Sequence, residues 1–253
     1  MKKLILLLFS LPFLLPVFGQ NESKKEEAFY MLDANFKGTQ QEKDKYFIYA
    51  EKIHDSCWQF DKYNISGPLL NSEQYKNEKG TGANGVFTYY NKKGSIDSTG
   101  NYQNDLQDGT WYFISETGKY LLQKEYKLGD LLSVKDLTKK ENTNDKKENK
   151  KSERTETESV FPGGLPAWTN YLSSNMVYPQ RAQNLPKQGT VIIQFIVNED
   201  GHVTSPQIAQ SIEYSLDQEA LRLVKQSPVW TPAVQDGKKV KSYKKQPVSF
   251  KLE

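Results

Sequence analysis

The stretch Lys139–Glu158, KKENTNDKKENKKSERTETE, has no aliphatic or aromatic side chain. Seven Lys/Arg and six Asp/Glu are mixed along it. Such a run buries too little apolar surface to offset the entropy of ordering it, so it is expected to be a disordered tether. It therefore divides the chain into two modules, each of which must build its own core. Cys57 is the only cysteine in 253 residues, so no intramolecular disulfide can help. Tyr, Phe and Trp make up 12% of the chain, and this aromatic bias suits β-rich modules with modest cores. A net charge of +3 gives no case for nucleic acid as a partner.

Upstream of the tether lies a repeat. Gly85-Val86-Phe87-Thr88-Tyr89-Tyr90-Asn91-Lys92-Lys93-Gly94 realigns with Gly109-Thr110-Trp111-Tyr112-Phe113-Ile114-Ser115-Glu116-Thr117-Gly118 at an offset of 24 residues. Tyr102 and Tyr126 keep the same offset. Phe87 and Tyr89 alternate with Val86 and Thr88, which is the period of a half-buried strand. Gly94 and Gly118 fall where hairpin turns need positive φ. Residues 45–76 alternate in the same way, and Cys57, beside Trp58, reads as a small buried hydrophobe. The Tyr, Asp-Gly and Trp positions of GNYQNDLQDGTWYFISETG resemble MORN-like repeats of the YwqK antitoxin-type family. That resemblance implies an all-β meander, with Tyr102, Trp111 and Tyr126 in its core.

Beyond the tether, Phe161-Pro162-Gly163-Gly164 is a turn signal. Leu165, Trp168, Leu172 and Met176 follow at helical spacing, and a short helix is expected over 180–184. The β-branched run Thr190–Asn198 is the clearest strand in the chain, with Val191, Ile193, Phe195 and Val197 on one face. Asp200-Gly201 turns it back into a strand over 203–212. Leu216, Ala220, Leu223 and Val224 mark the core side of an amphipathic helix. Asp236-Gly237 is another turn, and 242–252 forms the last strand with Val248 and Phe250 facing inward. The expected fold class is an α+β C-terminal domain, two helices on a three-stranded antiparallel sheet, after an all-β repeat domain. Three strands leave two open edges, and an open edge invites a partner that adds a strand.

Residues 161–253 resemble the C-terminal domain of the TonB family. The likeness rests on Phe161-Pro162-Gly163-Gly164, on Tyr178-Pro179 with Arg181, Ala182 and Gln183, and on Gly189, Val191, Phe195, Val197, Asp200-Gly201 and Val203. It continues through Leu216, Asp217, Ala220, Leu221, Pro228, Trp230, Pro232, Ala233, Gly237, Pro247 and Phe250. The family implies a periplasmic domain that grips the TonB box of an outer-membrane receptor as an extra strand along Tyr243–Lys251. The partner-binding residues then expected are Arg181, Gln183, Tyr243, Lys244, Lys245, Gln246, Val248 and Ser249. Gln183 falls at the family's box-contacting position, and its amide can both donate and accept. The same edge would also admit a homodimer, and Lys244 and Lys245 can equally discourage such aggregation.

The N-terminus departs from the family's pattern. Met1-Lys2-Lys3 precedes an apolar run, Leu4 to Phe18, of 15 residues broken by Ser10, Pro12 and Pro16, with a cleavage site expected before Gln20. A spanning helix needs about 20 apolar residues, so the reading is a secretory signal peptide over an inner-membrane anchor. This counts against an ExbB/ExbD-type motor as partner and places the protein in the periplasm or cell envelope. The expected organisation is a signal peptide at 1–19, a polar segment at 20–44, repeats at 45–134, a charged linker at 135–158 and the TonB-like domain at 159–253. The alternative function is an envelope scaffold with no part in energy transduction. Catalysis finds no support: His54 and His202 lie in different modules, His202 reads as an exposed turn residue, and no metal, phosphate or nucleophile motif occurs. Neither a cofactor nor a metal is expected. Asp217 reads as a helix N-terminal carboxylate, and Glu219, two residues on, diverges from it.

Overall fold

Short aromatic strands joined by tight glycine turns fold into one antiparallel meander. The computed structural model describes residues 26–35, 37–38, 44–139 and 156–252. The expected signal peptide and most of the charged linker lie outside the described residues. The meander comprises β1 (Glu27–Leu32), β2 (Tyr46–His54), β3 (Cys57–Asn64), β4 (Leu69–Tyr75) and β5 (Ala83–Tyr90). It continues through β6 (Ile96–Gln103), β7 (Leu106–Ile114), β8 (Tyr120–Lys127) and β9 (Asp130–Asp136). The strands follow one another in sequence order across a nine-stranded sheet. The sheet starts before residue 45, since β1 comes from the polar lead-in and pairs Phe29 with Tyr49.

The 24-residue repeat has a direct structural counterpart. The hairpins β5–β6 and β7–β8 turn alike at Gly94 and Gly118, with φ of 82° and 80° and the amide of each bonded to the carbonyl three residues back at 2.9 Å. Phe87 and Trp111 are buried on one face of the sheet, packed by Tyr75, Tyr89, Tyr102, Phe113 and Tyr126. Trp111 Nε1 donates to the Asn101 carbonyl at 3.1 Å, which satisfies its polar end. Cys57 is buried as a small hydrophobe.

The C-terminal module begins with β10 (Glu156–Thr157), then α1 (Gly164–Asn175), α2 (Gln180–Asn184), β11 (Gly189–Val197) and β12 (Val203–Gln210). It ends with α3 (Tyr214–Lys225), β13 (Ala233–Gln235), β14 (Lys238–Val240) and β15 (Ser242–Phe250). The main sheet has the order β12-β11-β15, antiparallel throughout. Three helices accompany this sheet, α2 being a single short turn of five residues. A second, small sheet in the order β10-β13-β14 has no counterpart in the expected fold. Its hairpin turns at Asp236-Gly237, both at positive φ.

The core of this module follows the alternation in its sequence. Val191, Ile193, Phe195 and Val197 are 0–2% exposed and face Leu216, Ala220, Leu223 and Val224 of α3, all at 0%. Each such burial other than that of Ala220 contributes about 1.5–3 kcal/mol. Phe161 and Trp168 pack edge to face at 5.2 Å and both meet Trp230. Leu165 shares the helical spacing of Trp168 yet is 72% exposed. Phe161, folded back onto Trp168, fills the space beside that turn of α1 instead.

The two modules share one core. Tyr214, the first residue of α3, stands edge-on to Phe47 and Tyr63 at 5.4 Å each, and contacts Tyr49 and Phe29. The β12 end abuts the β5–β6 turn: Ser211 N donates to the Gly94 carbonyl at 2.8 Å, and Gln210 Nε2 to the Lys93 carbonyl at 2.7 Å. Leu69 N donates to Ser211 Oγ at 2.8 Å and Tyr90 Oη to the Ile208 carbonyl at 2.7 Å. Gly94 is required here twice over. Its φ is positive, and a Cβ would stand 2.3 Å from the Ser211 carbonyl oxygen.

Candidate functional site

The chain leaves one long strand of the C-terminal module open. β15 pairs with β11 over nine residues, Ser242↔Val197 to Phe250↔Gly189. No strand among the described residues pairs with its other side. β12, at the far side of the sheet, meets the meander through a bridge between Ser95 and Gln210 and the bonds around Gly94. So of the two edges expected to be open, the meander occupies the end of one. Pro247, which cannot donate to a ladder, lies in β15 as sheet prolines do, on an edge.

Side chains along β15 alternate strictly. Val248 and Phe250 are buried, while Tyr243, Lys245, Pro247 and Ser249 are exposed, Tyr243 to 86%. Val248 can thus offer a visiting strand only its backbone. Lys244 pairs with Glu158 at 2.9 Å. Ser249 shares a hydrogen bond with Thr190 across the β11–β15 pair, at 2.9 Å. Gln246 faces the helix side beside Lys244 and Val248. Lys245 has no carboxylate partner among the described residues.

Both ends of the edge are framed. At its start, Ser242 Oγ donates to Ser159 Oγ at 2.6 Å, so the exit of the charged linker is pinned beside Ser242–Lys244. At its finish, the Tyr178 ring packs edge-on against Phe250 at 5.9 Å, and its hydroxyl donates to the Lys187 carbonyl at 2.5 Å. This fixes the corner that carries α2. Gln183 is exposed there, its Nε2 donating to the Tyr178 carbonyl at 3.3 Å.

Arg181 is placed differently from Gln183. Its guanidinium is bound to the Glu213 carboxylate and to the Ile65 carbonyl of the meander, and lies over the Phe47 ring at 5.4 Å. Glu213 is the N-cap of α3, accepting from Ser215 N at 2.9 Å. Arg181 therefore ties the corner to the other module and to the start of α3, and its charge is already neutralised.

Two carboxylates are buried where the modules meet. Asp217 accepts from Ser211 Oγ at 2.5 Å and from Ile212 N at 3.1 Å. Its place in the first turn of α3 fits the dipole reading, but burial dominates and pushes its carboxyl up to about 8. Asp61 is held by Gln59 Nε2 at 3.1 Å, and burial pushes its carboxyl up to about 6. The buried Tyr63 hydroxyl comes close to Asp217 without meeting hydrogen-bond geometry. Glu219 turns the other way, accepting from Val177 N at 2.8 Å and pairing with Arg222 at 2.7 Å. These groups are spent on packing two modules together, and none opens onto a substrate-sized cleft. His202 is exposed beside its turn. Among the described residues, no set of three His, Cys, Asp or Glu is placed to hold a metal.

Tyr214, Ser211 and Glu213 carry the junction and were not expected to. One signal was available: Phe47, Tyr49 and Tyr63 alternate with Trp58 and Phe60, so both faces of β2–β3 are aromatic and both need cover.

The family model described as Gram-negative bacterial TonB protein C-terminal matches residues 174–252, less than half of the chain. That family is one of interaction and energy-transducing domains, without catalytic activity. Among solved structures, the NMR solution structure of the Helicobacter pylori TonB-CTD aligns at 25% identity with a TM-score of 0.28. The alignment covers 35% of this chain and 80% of that one. No curated protein matches the chain.

Proposed function

We propose that this is an exported TonB-like protein whose C-terminal module takes up an extended segment of an outer-membrane receptor as an added strand on β15. The observation that carries this reading is the open edge of β15, in a module matching the TonB C-terminal model. Backbone groups along the strand would supply affinity, and Gln183, Tyr243, Lys245 and Gln246 would supply selectivity. Of Lys244, Val248 and Ser249, only those whose backbone points away from β11 take part, through that backbone, and Arg181 acts beneath the corner by holding α2 in place. The N-terminal segment is proposed to be a signal peptide, which puts the protein in the periplasm. Transport-associated recognition is then its role, with or without a motor behind it.

The test is a titration of TonB-box peptides against the full exported chain, followed through backbone amide shifts. Shifts concentrated on Tyr243–Lys251 and at Gln183 are the expected result. Shifts absent from β15 at millimolar peptide refute strand addition.

The scaffold reading is favoured by one observation. The meander is docked onto β12 and α3 by hydrogen bonds and a shared aromatic core, so the module has a fixed companion in place of a free spacer. Sequencing the N-terminus of the native protein separates the two roles. A chain starting at Gln20 supports the scaffold, and an intact Met1 in the inner-membrane fraction supports transduction.

A further inference from the structure

The β12-β11-β15 sheet stands on the meander by its β12 side, which leaves a wedge beneath the sheet face turned away from the helices. The wedge is closed where Ser95 bridges Gln210. It has a volume of about 280 Å³. Ile192, Gln194 and Lys245 line it from the sheet, and Ile114, Thr117 and Tyr120 from the β7–β8 hairpin of the meander. In the ladder register, Lys245 lies opposite Gln194 and Pro247 opposite Ile192. The wedge therefore reaches from its closed end to the open strand β15.

The charges inside it are unequal. Glu116 of the hairpin is already paired with Lys93 at 2.6 Å. Lys245 has no carboxylate among the described residues. Gln194 lies directly beside Lys245, and the apolar part of the walls comes from Ile192, Ile114 and the half-exposed Tyr120. A strand added to β15 would put every second side chain on this face, directly next to Lys245 and Pro247. These positions are two residues apart, the spacing of successive side chains on one face.

We propose that the meander is a specificity wall for the strand that β15 receives, selecting an extended segment with an acidic side chain beside Lys245 and a bulky apolar one two residues along, beside Pro247 and facing Tyr120. The proposal rests on strand addition to β15 and adds to it the reader of the visiting side chains. Both modules are needed for that reading, which gives the repeat domain a role in recognition.

The experiment uses the full chain and three short threonine-rich peptides. One carries glutamate and valine two residues apart, the second lysine and valine, the third glutamate and serine. Affinity is read by fluorescence anisotropy, and β15 amide shifts report strand addition separately. The glutamate–valine peptide is expected to bind about tenfold more tightly than the glutamate–serine peptide, as for one apolar contact, and about threefold more tightly than the lysine–valine peptide, as for one exposed ion pair. Lys245→Glu should invert the charge preference. Thr117→Arg, in an exposed turn, and Tyr120→Ala should each remove the preference for valine over serine. If both meander variants keep that preference while β15 amides still shift, the wall is refuted and strand addition stands. If no peptide shifts β15, strand addition fails and the wall fails with it.

Discussion

Gly94 and Gly118 occupy the same place in successive hairpins, and this supplies an internal control for how the modules are joined. Their φ values are 82° and 80°, so replacement by alanine imposes the same backbone strain at both. That shared cost is about 1–2 kcal/mol. Their surroundings differ. A Cβ at Gly118 meets nothing within 4 Å, whereas one at Gly94 would lie 2.3 Å from the Ser211 carbonyl oxygen and 2.9 Å from Pro68. Relief requires β12 to shift by about 1 Å, since ordinary contacts begin near 3.4 Å. Such overpacking costs about 1–3 kcal/mol. The shift also strains the Ser211–Gly94 and Gln210–Lys93 hydrogen bonds, each worth about 1 kcal/mol net. Gly94→Ala should therefore destabilise the chain by about 2–4 kcal/mol more than Gly118→Ala. Urea unfolding of both variants measures the difference, and the amide shifts of Ser211 and Leu69 show whether the junction has opened. Equal destabilisation within about 0.5 kcal/mol, with those amides unmoved, would refute a close-packed junction at this turn.

The buried carboxylates make the junction pH-dependent. Burial raises Asp217 to about 8 and Asp61 to about 6, above an unfolded value of about 4. The folded chain then holds protons that the unfolded chain releases, so these groups favour folding most below about pH 4 and lose that stability as pH rises through their folded values. Asp217→Asn should flatten the decline between about pH 4 and 8 in urea midpoints measured across that range. Arg181→Ala leaves the buried Glu213 carboxylate without its partner and should cost about 2 kcal/mol, below the figure for fully buried pairs because Arg181 is 39% exposed. Calorimetry checks it, and Arg181→Lys should recover only part, since a lysine cannot reach Glu213 and the Ile65 carbonyl together. Tyr214→Ala removes the ring that Phe47 and Tyr63 enclose and should destabilise by about 3 kcal/mol, with a loss of near-ultraviolet dichroism from the aromatic cluster.

Where one face of an element is buried and the other wet, its pattern was legible in the chain. The alternation of Val191 to Val197 and the spacing of Leu216, Ala220, Leu223 and Val224 marked the core of the C-terminal module, and all of these are buried. Asp200-Gly201 and Asp236-Gly237 marked turns, and both are turns. That the sheet leaves two edges was also legible, because three antiparallel strands do not close; that the last strand is the receiving one was an implication of the TonB resemblance. The junction was not. Tyr214 sits at a helix start, where an aromatic has no local meaning, and its partners lie 151 and more positions earlier, at Tyr63, Tyr49 and Phe47. Arg181 sat in a recognition motif, and nothing local showed that its charge would be met by Glu213 across 32 residues. The small β10-β13-β14 sheet was hidden for the same reason, since Glu156-Thr157 has no apolar pattern and gains its place by pairing with Val234 and Gln235.

Hydrogen exchange along β15 tests the central claim most directly. Without a partner, those backbone amides of Tyr243–Lys251 that point away from β11 should exchange rapidly, while the amides of the central strand β11 remain protected. With a TonB-box peptide near saturation, the outward amides of β15 should become protected and those of the β9 edge should not change. Outward amides already protected in the free protein, or left unprotected by every such peptide, would contradict β15 as the receiving strand.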